Sequence, residues 1–148
     1  MDSPIVIGFR HTGIIVKNMK ESQRFYEDIL GLEVMQDYTD NSKYINDVLG
    51  LSDGKIHMVK LKSKDGYIIE LLEYINHPSD ILDRPFFNVG SCHVAFTVKN
   101  ADQMYQRLKN AGIEIISEPL LSSDKTAKVF FCIEPNGIRV ELVEIVKC

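Results

Sequence analysis

Two histidines and two glutamates occupy matching places in an internal repeat, and all four have side chains that bind metals. His11 lies in the segment FRHTGIIV and His93 in GSCHVAFTV, and each segment leads into a VKN tripeptide. The two histidines are 82 residues apart, and so are Asn18 and Asn100, which end the two tripeptides. Similarity at a fixed spacing indicates a duplicated supersecondary unit.

Each copy of the repeat closes on an apolar strand with one acid near its middle. Glu70 lies in YIIELLEY and Glu141 in IRVELVEI, 71 residues apart. Burying an ionised carboxylate without a partner costs several kcal/mol, so each glutamate needs a compensating group. Strand alternation turns Glu73 and Glu144 to the opposite face, which leaves Glu70 and Glu141 as the repeat-equivalent candidates.

Two imidazoles and two carboxylates form a ligand set for a divalent metal of borderline hardness, with positions left for water or substrate oxygens. Zn, Ni, Co, Mn and Fe all suit such a set. A lone histidine in a strand is more often a core or surface residue than a ligand, but duplication of both residue types favours the metal. His57 and His77 lack repeat partners, so we predict that they are surface residues.

Four lysines near one hairpin predict a solvated basic edge that discourages aggregation. An anchor for a phosphate or carboxylate group is the alternative. The four are Lys55, Lys60, Lys62 and Lys64.

Hydrophobic periodicity and turn residues predict the elements that position these side chains. The first copy is predicted to contain a strand, a helix ended by Gly31, and three further strands, with a helical turn inside a polar excursion. The second copy repeats this order without the excursion, so most of the 11 extra residues of the first copy should lie there. The predicted helices span 19–30 and 102–110, the helical turn 44–49, the polar loop 39–43 and the later strands 32–38, 56–62, 67–74, 113–117, 128–133 and 138–146.

The chain is predicted to be a single α+β domain of two tandem modules. The first module covers about residues 5–75 and the second about 89–148, joined by a linker at 76–88 that contains two prolines. A length of 148 residues is enough to bury a core without disulfides.

Composition is that of an ordinary globular protein, with 45% hydrophobic and 26% charged residues and a net charge of -4. No run of basic residues indicates nucleic-acid binding. The first residues lack a signal-peptide pattern and no apolar run suits a membrane span, so we expect a cytoplasmic protein. Cys92, Cys132 and Cys148 have no zinc-like spacing and are predicted to be reduced thiols.

These residues resemble the vicinal oxygen chelate superfamily, the group of glyoxalase I, the bleomycin-resistance proteins and methylmalonyl-CoA epimerase. The motifs that carry the resemblance are HTGIIVKNMKESQRFYEDILGLEV, GYIIELLEY, HVAFTVKN and EPNGIRVELVE. The resemblance implies two βαβββ modules whose mixed sheets curve into a half-open barrel around a metal. It also implies that the metal ligands are His11, Glu70, His93 and Glu141.

The activity implied by the resemblance is that of a metal-dependent, glyoxalase I-like lyase or isomerase. Such an enzyme transfers a proton next to a carbonyl through a metal-stabilised enediolate or enolate, with Glu141 or Glu70 carrying the proton. Whether the enzyme uses a thiol cosubstrate remains open. The candidates are glutathione, bacillithiol and coenzyme A. The expected partners are a small-molecule substrate and a second copy in a homodimer, and the site lies within one chain or is shared between two.

Three other functions stay open from the sequence. A methylmalonyl-CoA epimerase-like isomerase needs an additional acid, for which Glu33, Asp37 and Asp40 are the candidates. A small-molecule binding or resistance protein could use the same cavity without catalysis. An iron dioxygenase fits less well, because a second carboxylate crowds the position that O2 needs.

Overall fold

The computed structural model describes residues 4–83 and 85–146. Cys148, one of the three cysteines, lies outside the described residues. The chain divides into two compact units, Met1–Pro78 and Ser79–Cys148. Each unit contains one four-stranded mixed sheet, which confirms the predicted α+β class with two tandem modules.

The first unit has the order β, α, β, α, β, β, and its sheet has the strand order β1-β4-β3-β2. Strands β1 and β4 are parallel, and the other neighbours are antiparallel. The elements are β1 Thr12–Ile15, α1 Met19–Gln23 with a π-helical continuation at Arg24–Ile29, β2 Glu33–Asp40, α2 Lys43–Leu49, β3 Ile56–Lys62 and β4 Ile68–Tyr74.

The second unit repeats this plan without a counterpart of α2, and its sheet has the order β5-β8-β7-β6. Strands β5 and β8 are parallel, as β1 and β4 are. The elements are β5 His93–Thr97, α3 Ala101–Asn110, β6 Leu120–Leu121, β7 Ala127–Ile133 and β8 Arg139–Ile145.

The repeat extends to the register of the parallel strands. Glu70 is the Cα partner of Gly13 in the first unit, and Glu141 is the partner of Ala95 in the second. Gly13 and Ala95 are 82 residues apart, as His11 and His93 are. The two sheets therefore present their glutamates at equivalent positions.

The VKN tripeptides end in asparagines that begin the two helices. The Asn18 side chain accepts a hydrogen bond from the backbone N–H of Glu21 at 3.0 Å, and Asn100 accepts one from Gln103 at 2.8 Å. Asparagine is a preferred residue at this position because its carboxamide oxygen satisfies a backbone donor that the helix leaves unpaired. The repeated tripeptide is thus explained by helix initiation.

Glu73 on β4 and Glu144 on β8 accept hydrogen bonds from the first residues of the same two helices. Glu73 Oε2 accepts from the backbone N–H of Met19 at 3.3 Å, and Glu144 Oε2 accepts from Ala101 at 2.7 Å. Both glutamates therefore lie on the face of their sheet that packs against the helix, which we call the helix face. The opposite face, which carries Glu70 or Glu141, is called the ligand face.

The helix face carries the buried core of each unit. Buried strand residues alternate with partly exposed ones along β4 and β8, as expected when one face is covered. The buried side chains of the first unit include Phe25, Tyr26, Val59, Leu61, Ile69 and Leu71, and those of the second include Leu108, Phe130, Cys132, Val140 and Leu142.

The first helix is one residue longer than the second and takes up that residue as a π-helical turn. Asn18 and Asn100 are 82 residues apart, whereas Gly31 and Gly112, which end the helices at positive φ, are 81 apart. A bond from Leu30 N–H to the Phe25 carbonyl at 3.0 Å marks the wider turn. A π-helical turn is the usual result of one residue inserted into an α-helix.

Most of the other extra residues of the first unit lie in and around α2, as predicted. The buried side chain of Asn46 closes this excursion by accepting from Gly54 N–H at 2.6 Å and donating to the Gly54 carbonyl at 3.2 Å. A Cβ at Gly54 would lie 2.8 Å from Leu51 Cδ1. A side chain at this position would require the Leu51 side chain and the Asn46 carboxamide to shift.

Two predictions about individual elements were wrong. Residues 113–117 do not form a strand; only Ile115 makes an isolated bridge, to Cys132, and the strand there is Leu120–Leu121. The loop predicted at 39–43 is shorter, because β2 runs to Asp40 and α2 starts at Lys43.

Among residues 4–83 and 85–146, no helix is both long and apolar enough to cross a membrane.

The turn before β8 is organised by a buried carboxylate. Glu134 is only 1% exposed and accepts from Asn136 N–H at 2.8 Å, Ile138 N–H at 3.0 Å and the Asn136 side chain at 2.8 Å. Burial raises the pKa of Glu134, and these hydrogen bonds oppose the shift. In the first unit Ser63 has the equivalent place, where its hydroxyl accepts from Tyr67 N–H at 3.1 Å.

Candidate metal centre

The first His–Glu pair lies where β1 begins beside β4. His11 immediately precedes β1, and its Nε2 lies 2.9 Å from Oε2 of Glu70. The side chains are 27% and 13% exposed. Phe9 stacks on Tyr67 with ring centroids 5.9 Å apart, and the Tyr67 hydroxyl bonds to Thr12, the first residue of β1.

The second His–Glu pair repeats the first in the other unit. His93 is the first residue of β5, and its Nε2 lies 3.1 Å from Oε2 of Glu141. These side chains are 52% and 24% exposed, so the second pair is more open than the first within its sheet. Sequence reasoning thus selected the residues that pair in each unit.

The spacing within each pair fits two ligands of one metal. With metal–ligand distances of about 2.1 Å, adjacent ligand atoms lie about 3.0 Å apart in octahedral coordination and about 3.4 Å apart in a tetrahedral zinc site. The observed separations are 2.9 and 3.1 Å. An imidazole N–H donating to a carboxylate has a similar length. Each pair can therefore form a hydrogen bond or provide two adjacent ligand atoms for a metal.

Each His–Glu pair supplies two candidate ligands. Within residues 4–83 and 85–146, the structure contains no group of three or more His, Cys, Asp or Glu side chains arranged to hold a metal ion. Catalytic metal sites commonly have at least three protein ligands. One pair alone is therefore an incomplete ligand set for such a site.

The residues that face the two glutamates from the neighbouring strand differ. Lys60 on β3 is the Cα partner of Glu70, and its Nζ lies 3.6 Å from Glu70 Oε1. Phe131 on β7 is the partner of Glu141, and its ring lies edge-on to His93 with centroids 5.4 Å apart. The first glutamate therefore has a cationic neighbour and the second an aromatic one.

Lys60 does not belong to a solvated edge, contrary to the sequence prediction. β3 is an inner strand, and the Lys60 side chain is only 19% exposed. The sequence pattern missed this role because a lysine in a strand usually marks an edge. Alternation together with the strand order would have placed Lys60 on the ligand face.

The two remaining histidines are paired with aspartates away from the His–Glu pairs. His57 Nε2 lies 2.6 Å from Asp37, and His57 Nδ1 lies 3.9 Å from Glu73, on the helix face. His77 Nε2 lies 2.9 Å from Asp53. His77 is exposed as predicted, whereas His57 is partly buried.

Two of the three acids of β2 that could serve as an additional proton carrier are turned away or engaged. The third, Glu33, is exposed and in register with Lys62 at the start of β2. Asp37 lies on the helix face with His57, and Asp40 accepts from Ser42 N–H at 2.8 Å. The bonds from Ser42 lower the pKa of Asp40. The β2 residue in register with Lys60 is Gln36, an amide.

The described cysteines are not arranged for chemistry. Cys92 is exposed, and Cys132 is buried on the helix face. Burial, with the nearby charge of Glu134, raises the pKa of the Cys132 thiol to about 12. A thiol is a poor nucleophile in that state.

Two βαβββ modules, each with a His–Glu pair at one place in its sheet, define a class of duplicated α+β proteins. The chain belongs to the Glyoxalase/Bleomycin resistance protein/Dioxygenase superfamily, whose family model matches residues 8–142.

Curated relatives are distant. A probable lactoylglutathione lyase from Synechocystis is 25% identical over 136 residues, which cover 90% of this chain and 92% of that protein. The lactoylglutathione lyase of Schizosaccharomyces pombe is 24% identical over 142 residues. This alignment covers 90% of the chain but only 46% of the yeast protein.

Solved structures share the fold. A glyoxalase family protein from Bacillus cereus has a TM-score of 0.90 at 22% identity, with 99% of each chain covered. A genomically encoded fosfomycin resistance protein from Listeria monocytogenes, complexed with Mn(II) and sulfate, has a TM-score of 0.63 at 20% identity, covering 96% of this chain and 95% of that one.

Proposed function

We propose that the protein is a metal-dependent lyase or isomerase of the glyoxalase I type, acting on a small molecule with a carbonyl group. In this proposal His11, Glu70, His93 and Glu141 provide the ligands of one divalent metal. The observation that carries it is the duplicated pair, with the same residue types at the same register and separations of 2.9 and 3.1 Å. The ligands come from one chain or, in a homodimer, from two.

The comparisons support the class of reaction and the kind of metal. Several relatives that align along most of their length are named lactoylglutathione lyase, at 22 to 25% identity. The Mn(II) complex of the Listeria protein favours a divalent ion on this fold. Zn, Ni, Co, Mn and Fe all accept two imidazoles and two carboxylates.

When bound, a divalent ion polarises a carbonyl oxygen and stabilises the negative charge that develops on it as a neighbouring C–H proton leaves. The protein must provide a base for that proton. A carboxylate next to the reacting carbon can accept it and return it to the adjacent carbon, which gives a glyoxalase reaction.

Glu141 is the better candidate for this base. Its side chain is 24% exposed and faces Phe131, whereas Glu70 is 13% exposed and has the Lys60 ammonium 3.6 Å away. A carboxylate held by a fixed cation reorients less readily than one beside an aromatic ring. Glu70 therefore serves mainly to bind the metal, and Glu141 carries the proton.

An epimerase has less support. Returning the proton to the opposite face requires a second acid or base on the ligand face. The β2 residue in register with Lys60 is Gln36, and Asp37 bonds to His57 on the other face. Glu33 is exposed and in register with Lys62 instead of Lys60, and Lys60 holds Glu70 in place.

Proton exchange at carbon tests this proposal directly. The purified protein, supplemented with Ni, Co, Mn or Zn, is incubated in D2O with hemithioacetals of glutathione, bacillithiol and coenzyme A, and with acyl-CoA thioesters. NMR should detect turnover or deuterium beside the carbonyl for at least one substrate, and Glu141→Gln should abolish it. Tight binding of a compound without any exchange, in every metal form, would replace the enzyme with a binding protein.

A further inference from the structure

We infer that Arg139, held against the ring of Phe86, is an oxyanion-binding residue beside the second His–Glu pair. The inference rests on the proposed function in one respect: it assigns to that enzyme a substrate with a carboxylate or phosphate group. Arg139, Phe86 and the second His–Glu pair all lie in the second unit.

Arg139 has the right place in the sheet. It is the first residue of β8 and the Cα partner of His93. It lies two residues before Glu141, so strand alternation puts both side chains on the ligand face. A group bound by Arg139 would therefore be adjacent to the second His–Glu pair.

The guanidinium is fixed by an aromatic ring. Its Cζ lies 3.5 Å from the centroid of the Phe86 ring. Phe87 packs edge-on against Phe86, with centroids 5.3 Å apart and planes at 78°. Ile81 of the same segment lies over the β7–β8 turn, with its Cγ2 3.3 Å from where a Cβ at Gly137 would be. The segment that supplies Phe86 is thus packed next to the start of β8.

No carboxylate of the residues described neutralises Arg139. The ion pairs within the second unit include Lys128 with Asp102 and His93 with Glu141, and neither involves Arg139. A guanidinium stacked on a ring keeps the N–H groups at its edge available, and these groups match the two oxygens of a carboxylate or phosphate. Arg139 is therefore preorganised to bind an oxyanion.

NMR titration of the purified protein tests this binding. The probes are inorganic phosphate and acetate, added separately, and the readout is the side-chain Nε–H resonance of Arg139, assigned by its loss in Arg139→Met. At least one probe should shift this resonance saturably. The probe that binds identifies the group as a phosphate or a carboxylate.

Variants define the role of each residue. Arg139→Met should lower the affinity for the effective probe at least tenfold, measured by calorimetry. Arg139→Lys keeps the charge without the fork of donors and should bind less tightly than the parent. Phe86→Leu should weaken binding about two- to fivefold, the contribution of an exposed cation–π contact. Arg24→Met removes the same charge from the exposed side of the first helix and should leave the affinity unchanged.

Metal content of the same samples separates this inference from the proposed function. Arg139→Met should retain the metal of the parent while losing the anion. A parent that binds the probe through Arg139 but holds no metal would support the oxyanion site and contradict the enzyme. Equal affinity in the parent and Arg139→Met, or no saturable shift with either probe, would overturn the inference whatever the metal content.

Discussion

The two His–Glu pairs share one backbone arrangement but have different neighbours. In the first unit, Glu70 faces the Lys60 ammonium at 3.6 Å, and the pair is largely covered. In the second unit, Glu141 faces Phe131, whose ring packs on His93 at 5.4 Å, and the pair is more exposed. Duplication preserved the four candidate ligands, and divergence at one cross-strand position gives the two glutamates different electrostatic surroundings.

This difference in surroundings predicts different roles for the two glutamates. A cation beside a carboxylate fixes its orientation and stabilises its charge, but it also repels a metal ion bound to the same carboxylate. An aromatic neighbour has neither effect. Under the proposed function, Glu70 therefore mainly binds the metal and Glu141 carries the proton.

The largest expected effect is on turnover and separates the two glutamates. Glu141→Gln should retain the fold and some metal but lower kcat about 10²- to 10⁴-fold, the usual contribution of a general base. Glu70→Gln should mainly lower the affinity for metal. Stopped-flow or NMR assays with metal analysis measure both. A Glu141→Gln enzyme with full turnover would contradict the assignment.

Exchanging the cross-strand neighbours should have an effect of about tenfold. A unit charge about 5 Å from a divalent ion interacts with it by about 1 to 2 kcal/mol in water. Lys60→Phe should therefore bind the metal about tenfold more tightly, and Phe131→Lys should bind it less tightly and turn over more slowly.

Competition with a metal-sensitive dye measures these affinities. Phe131→Leu, which removes the ring without adding a charge, is the control for Phe131→Lys. Metal affinities that do not change in Lys60→Phe would show that the ammonium has no influence on the metal.

The helix starts provide a smaller comparison. Glu144→Ala should lower the free energy of unfolding by about 1 kcal/mol, the typical value of a helix-capping hydrogen bond. Glu73→Ala should cost less, because its bond to Met19 is longer, at 3.3 Å against 2.7 Å. Urea unfolding measures both, and Glu118→Ala on the surface is the control. A larger loss for Glu73→Ala would reverse the ranking.

The smallest expected effect is a pH dependence of the free energy of unfolding, caused by Glu134 in the turn before β8. Because burial raises the pKa of folded Glu134 above that of the unfolded chain, folding favours its protonated form. This contribution is fully present below about pH 4.3, the unfolded value, and is lost as the pH rises through the raised folded value. The free energy of unfolding of the parent minus that of Glu134→Gln should therefore fall across this range. Ser63, its counterpart, does not titrate, so Ser63→Ala should leave the pH slope unchanged. A difference that rises with pH would contradict the direction of the shift.

Much of the fold followed from local patterns. Both helices were predicted after the VKN tripeptides, and in the structure each asparagine accepts a hydrogen bond from a backbone donor at the helix start. The end of the first helix at Gly31 was also predicted, and this glycine adopts a φ of 82°. The residues of both His–Glu pairs followed from the repeat alone. Duplication is a long-range signal that a single sequence carries.

Other features depended on contacts that no local pattern encodes. The π-helical turn adds one residue while keeping Phe25 and Tyr26 buried, so the apolar stripe did not reveal it. Lys60 resembled an edge residue until the strand order placed β3 inside the sheet. Residues 113–117 alternate like a strand, yet only Ile115 pairs with β7. The stacking of Arg139 on Phe86 joins a loop to a strand, a contact beyond the reach of periodicity.

Metal stoichiometry is the most direct test of the central claim that both pairs serve one ion. Elemental analysis of protein purified without chelators, and after supplementation with Ni, Co, Mn and Zn, should find one transition metal per set of four ligands. His11→Ala and His93→Ala should each lose it, because each removes a ligand of the same ion. No metal in the parent, or full metal content in either variant, would contradict the claim.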